Sequence, residues 1–183
     1  MASLPRPAGR YRVAAELAGR TFENVTVDVG FGDPSVADPE VVRGPEPLSF
    51  ADIPPAEVPA LPLEQHLAEK VHAYTRSYAG GYPSTRVKDL IDLAMMRSLF
   101  SFQAGRVRRA FEPTFAARDT HPLPSVLPAP PPQWRGAYRR MAAEVGLDPD
   151  MSVGYERARA FLDPILGGTA PDGTRWDPTR HTW

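Results

Sequence analysis

A chain of 183 residues with 42% hydrophobic content suits one domain, or one domain and a small appendage, and can bury a core. A formal charge of -1 excludes a global attraction to nucleic acid or an anionic membrane, and the absence of cysteine excludes disulfides, thiol chemistry and a Cys-based zinc site. No apolar run approaches the roughly 18 residues of a membrane span and the start lacks a signal-peptide hydrophobic region, so the sequence predicts a cytoplasmic protein with no membrane partner.

Met1 to Gly9 has prolines and no periodicity, and reads as a frayed start. From Arg10 the pattern becomes that of a strand: Tyr11, Val13, Ala15 and Leu17 alternate with Arg12, Ala14 and Glu16. Gly19-Arg20 turns the chain into a second alternating run, Thr21 to Phe31, completing a β-hairpin. Val25, Val27, Val29 and Phe31 take one face of that run, and Asn24, Thr26, Asp28 and Gly30 the other. Asp28 thus projects a carboxylate from mid-strand, where Asp is depleted. An exposed strand face is the plain structural account of it.

Gly32 to Pro62 is a proline-studded connection with one short strand candidate, Leu48 to Ile53. Leu63 to Tyr78 then reads as an amphipathic helix, with Leu63, Leu67, Val71, Tyr74 and Tyr78 on the inward side. Lys70 lies at the edge of that stripe, an unusual place for an unpaired charge, although its stem can snorkel. After a break over Ala79, Gly80, Gly81, Tyr82 and Pro83, Ser84 or Thr85 can cap a second helix reaching Phe100. That helix is apolar nearly all round, which predicts a central position. Its first turns nevertheless carry Arg86, Lys88, Asp89 and Asp92. The local account is a Lys88 to Asp92 pair beside an Asp89 stabilised by the helix dipole.

Ala104 to Arg118 reads as a helix with Val107, Ala110, Phe111 and Phe115 inward and Arg106, Arg108, Arg109 and Arg118 outward. Such a basic face either meets RNA phosphates or is simply solvated. Thr120 to Gln133 is a semi-rigid proline strap, expected to wrap the body. Trp134 to Val145 and Ser152 to Leu166 read as two further helices, with Gly146 stopping the first and the Asp148-Pro149-Asp150 run forming a turn between them. Gly167 to Trp183 has the composition of a disordered tail. His66, His72, His121 and His181 have no zinc-ligand spacing, and neither a G-x-S-x-G nor a P-loop sequence occurs.

The pattern A-E-K-V-H-A at residues 68–73, followed by R-V-K-D-L-I-D-L at residues 86–93, resembles the Lys motif and the Arg/Lys-Asp-x-x-Asp-Leu motif of the AbiEii/AbiGii nucleotidyltransferase toxin family. The similarity runs from about Tyr11 to about Gly146. It implies an α/β (α+β) fold in which a small sheet packs on a mainly helical C-terminal body. The corresponding divisions are a partial sheet region over 1–60, a central helical region over 61–118, a strap with C-terminal helices over 119–166, and the tail over 167–183.

The resemblance also implies a chemistry: transfer of a nucleotide from an NTP to an acceptor, such as a tRNA end, with Mg²⁺ held by carboxylates. Asp28 would be a metal ligand or base, Lys70 would contact the triphosphate, Asp89 would orient the site, and Arg86 and Asp92 would support it. The family places a Gly-Gly or Gly-Ser start and a D-x-D pair ahead of these motifs. No such pair precedes Asp28 in the sequence, so the expected enzyme is incomplete or inactive as this chain alone. The alternative is a non-catalytic remnant that binds an antitoxin-like partner.

Overall fold

The computed structural model describes residues 8–30, 37–78, 82–83 and 86–183. Of the expected frayed start at 1–9, residues 1–7 lie outside the described residues, as do Phe31, the break at 79–81 and the capping residues Ser84 and Thr85, whereas Ala8 and Gly9 are not frayed but open the first strand, paired with Gly30 and Val29. The chain divides into two compact units, Met1–Ser35 and Val36–Trp183.

The first unit is a hairpin of β1 (Ala8–Leu17) and β2 (Arg20–Gly30). The reversal falls at Ala18-Gly19, one residue earlier than the sequence suggests, and both residues have positive φ, 49° and 73°. Two left-handed residues are what a two-residue type I′ turn demands, and Gly19 takes that geometry without the clash of a Cβ. The register sets Tyr11 opposite Val27, Val13 opposite Val25 and Arg10 opposite Asp28, so the two-residue alternation segregates an apolar from a polar face. A bulge at Ala15/Glu16 shifts that register near the turn. Tyr11, Val13, Val25, Val27 and Val29 all remain exposed.

In the second unit, the connection expected to be a loop holds a hairpin of β3 (Glu40–Arg43) and β4 (Glu57–Ala60). The candidate strand at Leu48 to Ile53 is instead a 3-10 turn, Ser49–Ala51, closed by Asp52 in the left-handed region. Helix α1 (Leu63–Thr75) stops three residues short of Tyr78, because Ser77–Tyr78, labelled β5, pairs with Tyr82–Pro83, labelled β6. Helix α2 (Val87–Leu99) packs on α1, α4 (Arg135–Glu144) and α5 (Met151–Leu166), which makes it the central helix. Helix α3 (Ala104–Arg118) packs on α1 and α5.

One continuous core joins these helices: Leu67 and Val71 from α1, Leu90 and Leu93 from α2, Phe111 from α3, Tyr138 from α4 and Phe161 from α5 are fully buried or nearly so. Gly154 allows the closest approach in it, since a Cβ there would run into the Tyr138 hydroxyl and ring. The apolar circumference of α2 is not wholly covered: Leu99 and the following Phe100 are exposed, and Met95 is half-buried.

The strap crosses the helices as expected, and specific bonds hold it. Tyr74 Oη donates to the Pro128 carbonyl at 2.7 Å, Tyr155 Oη donates to the Leu127 carbonyl at 2.9 Å, and the Leu127 amide donates to Asp163 Oδ1 at 2.8 Å. Leu127 itself is buried. At the strap's start, His72 Nε2 lies 2.8 Å from Thr120 Oγ1, and His121 Nε2 lies 2.7 Å from Thr75 Oγ1.

The tail corrects its composition. Trp176 is 1% exposed, its amide donates to the Phe102 carbonyl at 2.8 Å, and its indole donates to the Arg97 carbonyl at 2.6 Å. Trp183 stacks on Phe161 with ring centroids 5.5 Å apart and donates to that residue's carbonyl. Gly, Thr and Pro bias the local conformation away from regular structure, but two tryptophans carry enough apolar area to order the segment on the core.

Candidate functional site

The two motif segments meet where α1 and α2 pack. Lys70 sits in the eighth position of α1, one residue before the buried Val71, so its stem runs along the interface and its ammonium reaches the first turns of α2. There Nζ lies 2.5 Å from Asp92 Oδ2 and 3.4 Å from Asp89 Oδ1. Asp89 and Asp92 are three residues apart and therefore neighbours on the helix surface, which is what lets one ammonium bridge both. Arg86, at the N-cap of α2, places Nε 2.8 Å from Asp89 Oδ2.

Asp89 is fully buried. Burial pushes its carboxyl above the usual carboxylate range, and Arg86 and then Lys70 pull it back. The Arg86 contact is an ion pair without hydrogen-bond geometry, which leaves Oδ2 with no hydrogen-bond donor among the described residues. The expected Lys88 to Asp92 pair is replaced by Lys70 to Asp92. A partner across the interface wins because both groups are there largely shielded from water, where the attraction is less screened than on a free helix face.

Beside this cluster opens a cavity of about 330 Å³ lined by His66, Lys70, Lys88, Asp92, Met95, Met96, Leu99 and Phe100. The incompletely covered side of α2 forms its apolar wall. Burial and the nearby Lys70 hold the His66 imidazole below its ordinary value. The chain has two lysines, Lys70 and Lys88, and both line this cavity, whereas its other permanent cations are arginines. A compact ammonium suits a phosphate oxygen as a point charge.

Asp28 belongs to the hairpin unit. Both its oxygens are held by Arg10 across the strand pair, at 2.6 and 2.9 Å, and the Arg10 bonds draw its carboxyl below the usual range. The strand carboxylate that sequence singles out is thus matched by a cross-strand partner, and the exposed polar face accounts for it structurally. Two of the four outward arginines of α3 are likewise engaged: Arg118 pairs with Glu69 at 3.0 Å, and Arg108 pairs with Asp172. Asp148 and Asp150 form the expected turn, and Asp150 caps α5 by accepting from the Ser152 amide at 2.8 Å.

The bridging of Lys70 to both Asp89 and Asp92 was not legible in sequence, and neither was the tie between His72, Thr120, His121 and Thr75. Helical spacing suggested that Asp89 and Asp92 are neighbours but said nothing of what faces them.

As they stand, the described residues do not fit a magnesium ion. A hard cation needs several free oxygen ligands, yet both oxygens of Asp28 are engaged by Arg10, and Asp89 and Asp92 are paired with Lys70 and Arg86. No described group of three or more Asp, Glu or His side chains has metal-binding geometry. No described helix is long and apolar enough to cross a membrane.

The profile of the family described as nucleotidyl transferase AbiEii toxin, type IV TA system, matches residues 5–164. No curated protein matches the chain. The match spans both motif segments and the whole helical body up to α5, and the mixed architecture of small antiparallel sheets and five described helices is consistent with a nucleotidyltransferase-like fold. The chain therefore belongs to the AbiEii nucleotidyltransferase toxin family of type IV toxin–antitoxin systems.

Proposed function

We propose that the cavity between α1 and α2 receives the triphosphate of an NTP, with Lys70 as its principal cationic contact. The observation that carries this reading is the convergence of the chain's two lysines on one cavity with an apolar wall. Asp89 and Asp92 are positioning residues. They hold the Lys70 ammonium at the mouth of the cavity, and an arriving phosphate replaces Asp92 as its nearest oxygen while the buried Asp89 retains its hold. Arg86 keeps Asp89 ionised when that exchange takes place. Lys88 adds a second positive charge to the same opening.

In this reading the acceptor is a tRNA end. The regulator is an antitoxin protein, as the type IV toxin–antitoxin family implies. The chain as it stands binds NTP weakly and does not transfer it. With Asp28, Asp89 and Asp92 paired to cations, it lacks the electrostatic stabilisation that in-line displacement at a phosphate requires. Those pairings equally support a second reading, a non-catalytic body that binds an antitoxin-like partner.

The test is labelled NTP with Mg²⁺ and total tRNA, alongside equilibrium binding of the same NTP. Expected are saturable binding, a loss of at least tenfold in Lys88→Ala, a larger loss in Lys70→Met, and no labelled tRNA. Absence of NTP binding to the folded chain would leave the partner-binding reading. Label transfer abolished by Asp28→Ala would show that the paired carboxylates do rearrange into a working site.

A further inference from the structure

The cavity beside Lys70 is charged at one end and apolar at the other, and a triphosphate accounts for the charged end alone. Along α2 its lining runs from Lys88 and Asp92 through Met95 and Met96 to Leu99 and Phe100. From Asp92, where the Lys70 ammonium rests, to Leu99 the helix rises about 10 Å. That is beyond a phosphate held at Lys70, and it is the side on which the rest of a nucleotide can lie. Leu99 and Phe100 are exposed and Met95 is half-buried, so this end leaves apolar area open to solvent.

Phe100 is anchored on both sides. Its amide closes the last turn of α2 on the Met96 carbonyl at 3.0 Å, and Phe102, two residues on, is fully buried. A ring fixed in this way gives up little freedom when a flat ligand stacks on it. On α1, His66 lines the same cavity one turn before Lys70. Residues four apart on a helix are neighbours, so the imidazole stands beside the ammonium. It makes no hydrogen bond among the described residues. Burial and Lys70 hold it below its ordinary value, so at neutral pH the ring is uncharged and offers one N–H donor and one acceptor nitrogen.

We infer that the cavity holds a whole purine ribonucleoside triphosphate, with His66 hydrogen-bonding the ribose hydroxyls and the base stacked on the Leu99 and Phe100 flank. The inference rests on the triphosphate reading of Lys70 and Lys88. The order of groups carries it: sugar follows phosphate and base follows sugar in the ligand, and the lining presents cations, an uncharged donor and acceptor ring, and an apolar platform. A ribose diol donates and accepts, as a neutral imidazole does. Met95, Met96, Leu99 and Phe100 have no strong donor or acceptor side chain with which to read a base edge. Recognition there is by stacking, which any base supplies and the larger purine ring supplies more fully.

Calorimetric titrations of the full chain, at fixed ionic strength and fixed Mg²⁺, compare ATP, CTP, 2′,3′-dideoxy-ATP and inorganic tripolyphosphate. ATP is expected to bind tightest, with tripolyphosphate weaker by roughly tenfold or more for want of a stacked base. Phe100→Ala should weaken ATP by about tenfold and leave tripolyphosphate unchanged, and Phe100→Trp should restore ATP binding. His66→Phe should bring ATP down to the affinity of the dideoxy compound. Both side chains are exposed, so these variants are expected to keep the native circular dichroism. Tripolyphosphate binding as tightly as ATP, with both weakened in Lys88→Ala, would overturn the nucleoside subsite and leave the triphosphate reading standing. Failure of every ligand to bind would remove both. The subsite is also overturned if CTP equals ATP, if Phe100→Ala binds ATP like the parent, or if His66→Phe still separates ATP from the dideoxy compound.

Discussion

Lys70 and Asp92 stand 2.5 Å apart across the α1–α2 interface, each about one-fifth exposed, while the same ammonium reaches the fully buried Asp89 at 3.4 Å. Removing Lys70 leaves Asp89 dependent on Arg86 alone. Lys70→Ala is expected to cost about 3 to 5 kcal/mol, the range for stripping one partner from a buried ion pair. Asp89→Asn in the Lys70→Ala background should recover part of that loss, because the buried charge is then gone. Urea denaturation of the two variants and the parent checks this, and equal stability of single and double variants would count against the bridge.

Leu90 is fully buried at the centre of the helical body. Leu90→Ala should lower unfolding free energy by about 2 to 5 kcal/mol through lost transfer energy and the cavity left behind. Leu99→Ala, on the exposed flank of the same helix, should stay within about 0.5 kcal/mol. A melting temperature unmoved by Leu90→Ala would show α2 to be peripheral.

The strap's tie to α1 titrates. Thr75 Oγ1 donates to the Val71 carbonyl at 2.9 Å, so it accepts from His121 Nε2–H; His121 Nδ1 then accepts from Thr120, whose oxygen accepts from His72 Nε2–H. The chain of donors closes only with the His121 imidazole neutral, whereas His72 keeps its Nε2–H in either state and is held neutral by its burial. Burial, then the nearby His121, Arg118 and Arg76, depress His72 from 6.5 to about 4, and burial and Arg76 also lower His121. Because the folded-state value lies below the unfolded one, the contribution is fully present above about pH 6.5 and is lost as pH falls toward 4. At about 1.4 kcal/mol per unit, the His72 share approaches roughly 3 kcal/mol at the acid end. Denaturation midpoints measured from pH 7.5 to 4.5 should fall, and less steeply in His72→Gln.

Ala18 holds φ at 49° in the hairpin turn, a region that costs an L-residue with a Cβ roughly 1 kcal/mol. Ala18→Asn produces the Asn-Gly pair that type I′ turns favour and should stabilise the hairpin by about that amount. Amide exchange across the register pairs, such as Val13 and Val25, is the readout. Slower exchange in β1 and β2 is expected, and faster exchange would refute the turn geometry.

Trp176 binds the tail to the core through its ring, its indole N–H and its amide. Trp176→Ala should cost about 3 to 5 kcal/mol, comparable with other large core truncations. Limited proteolysis should then cut within residues 167–183, which the parent chain is expected to resist.

Periodicity carried the elements whose signal is local. The valines of β2 face away from Asp28 because side chains alternate in a strand, and Leu67, Val71 and Tyr74 line the core because they recur at helical spacing. The motif residues of 68–73 and 86–93 were enough to point to the family that the profile match establishes. What those patterns left undecided concerns partners distant in sequence. Asp92 chose Lys70 over Lys88 because the α1–α2 interface shields the pair, and Asp28 acquired Arg10 through a cross-strand register that the hairpin turn imposes. The tail folded onto Arg97, Phe102 and Phe161 because its tryptophans found exposed apolar surface and backbone acceptors there, although its composition predicts disorder. Hydrophobic spacing states which side of an element turns inward, and only tertiary packing decides which charge or ring meets it there.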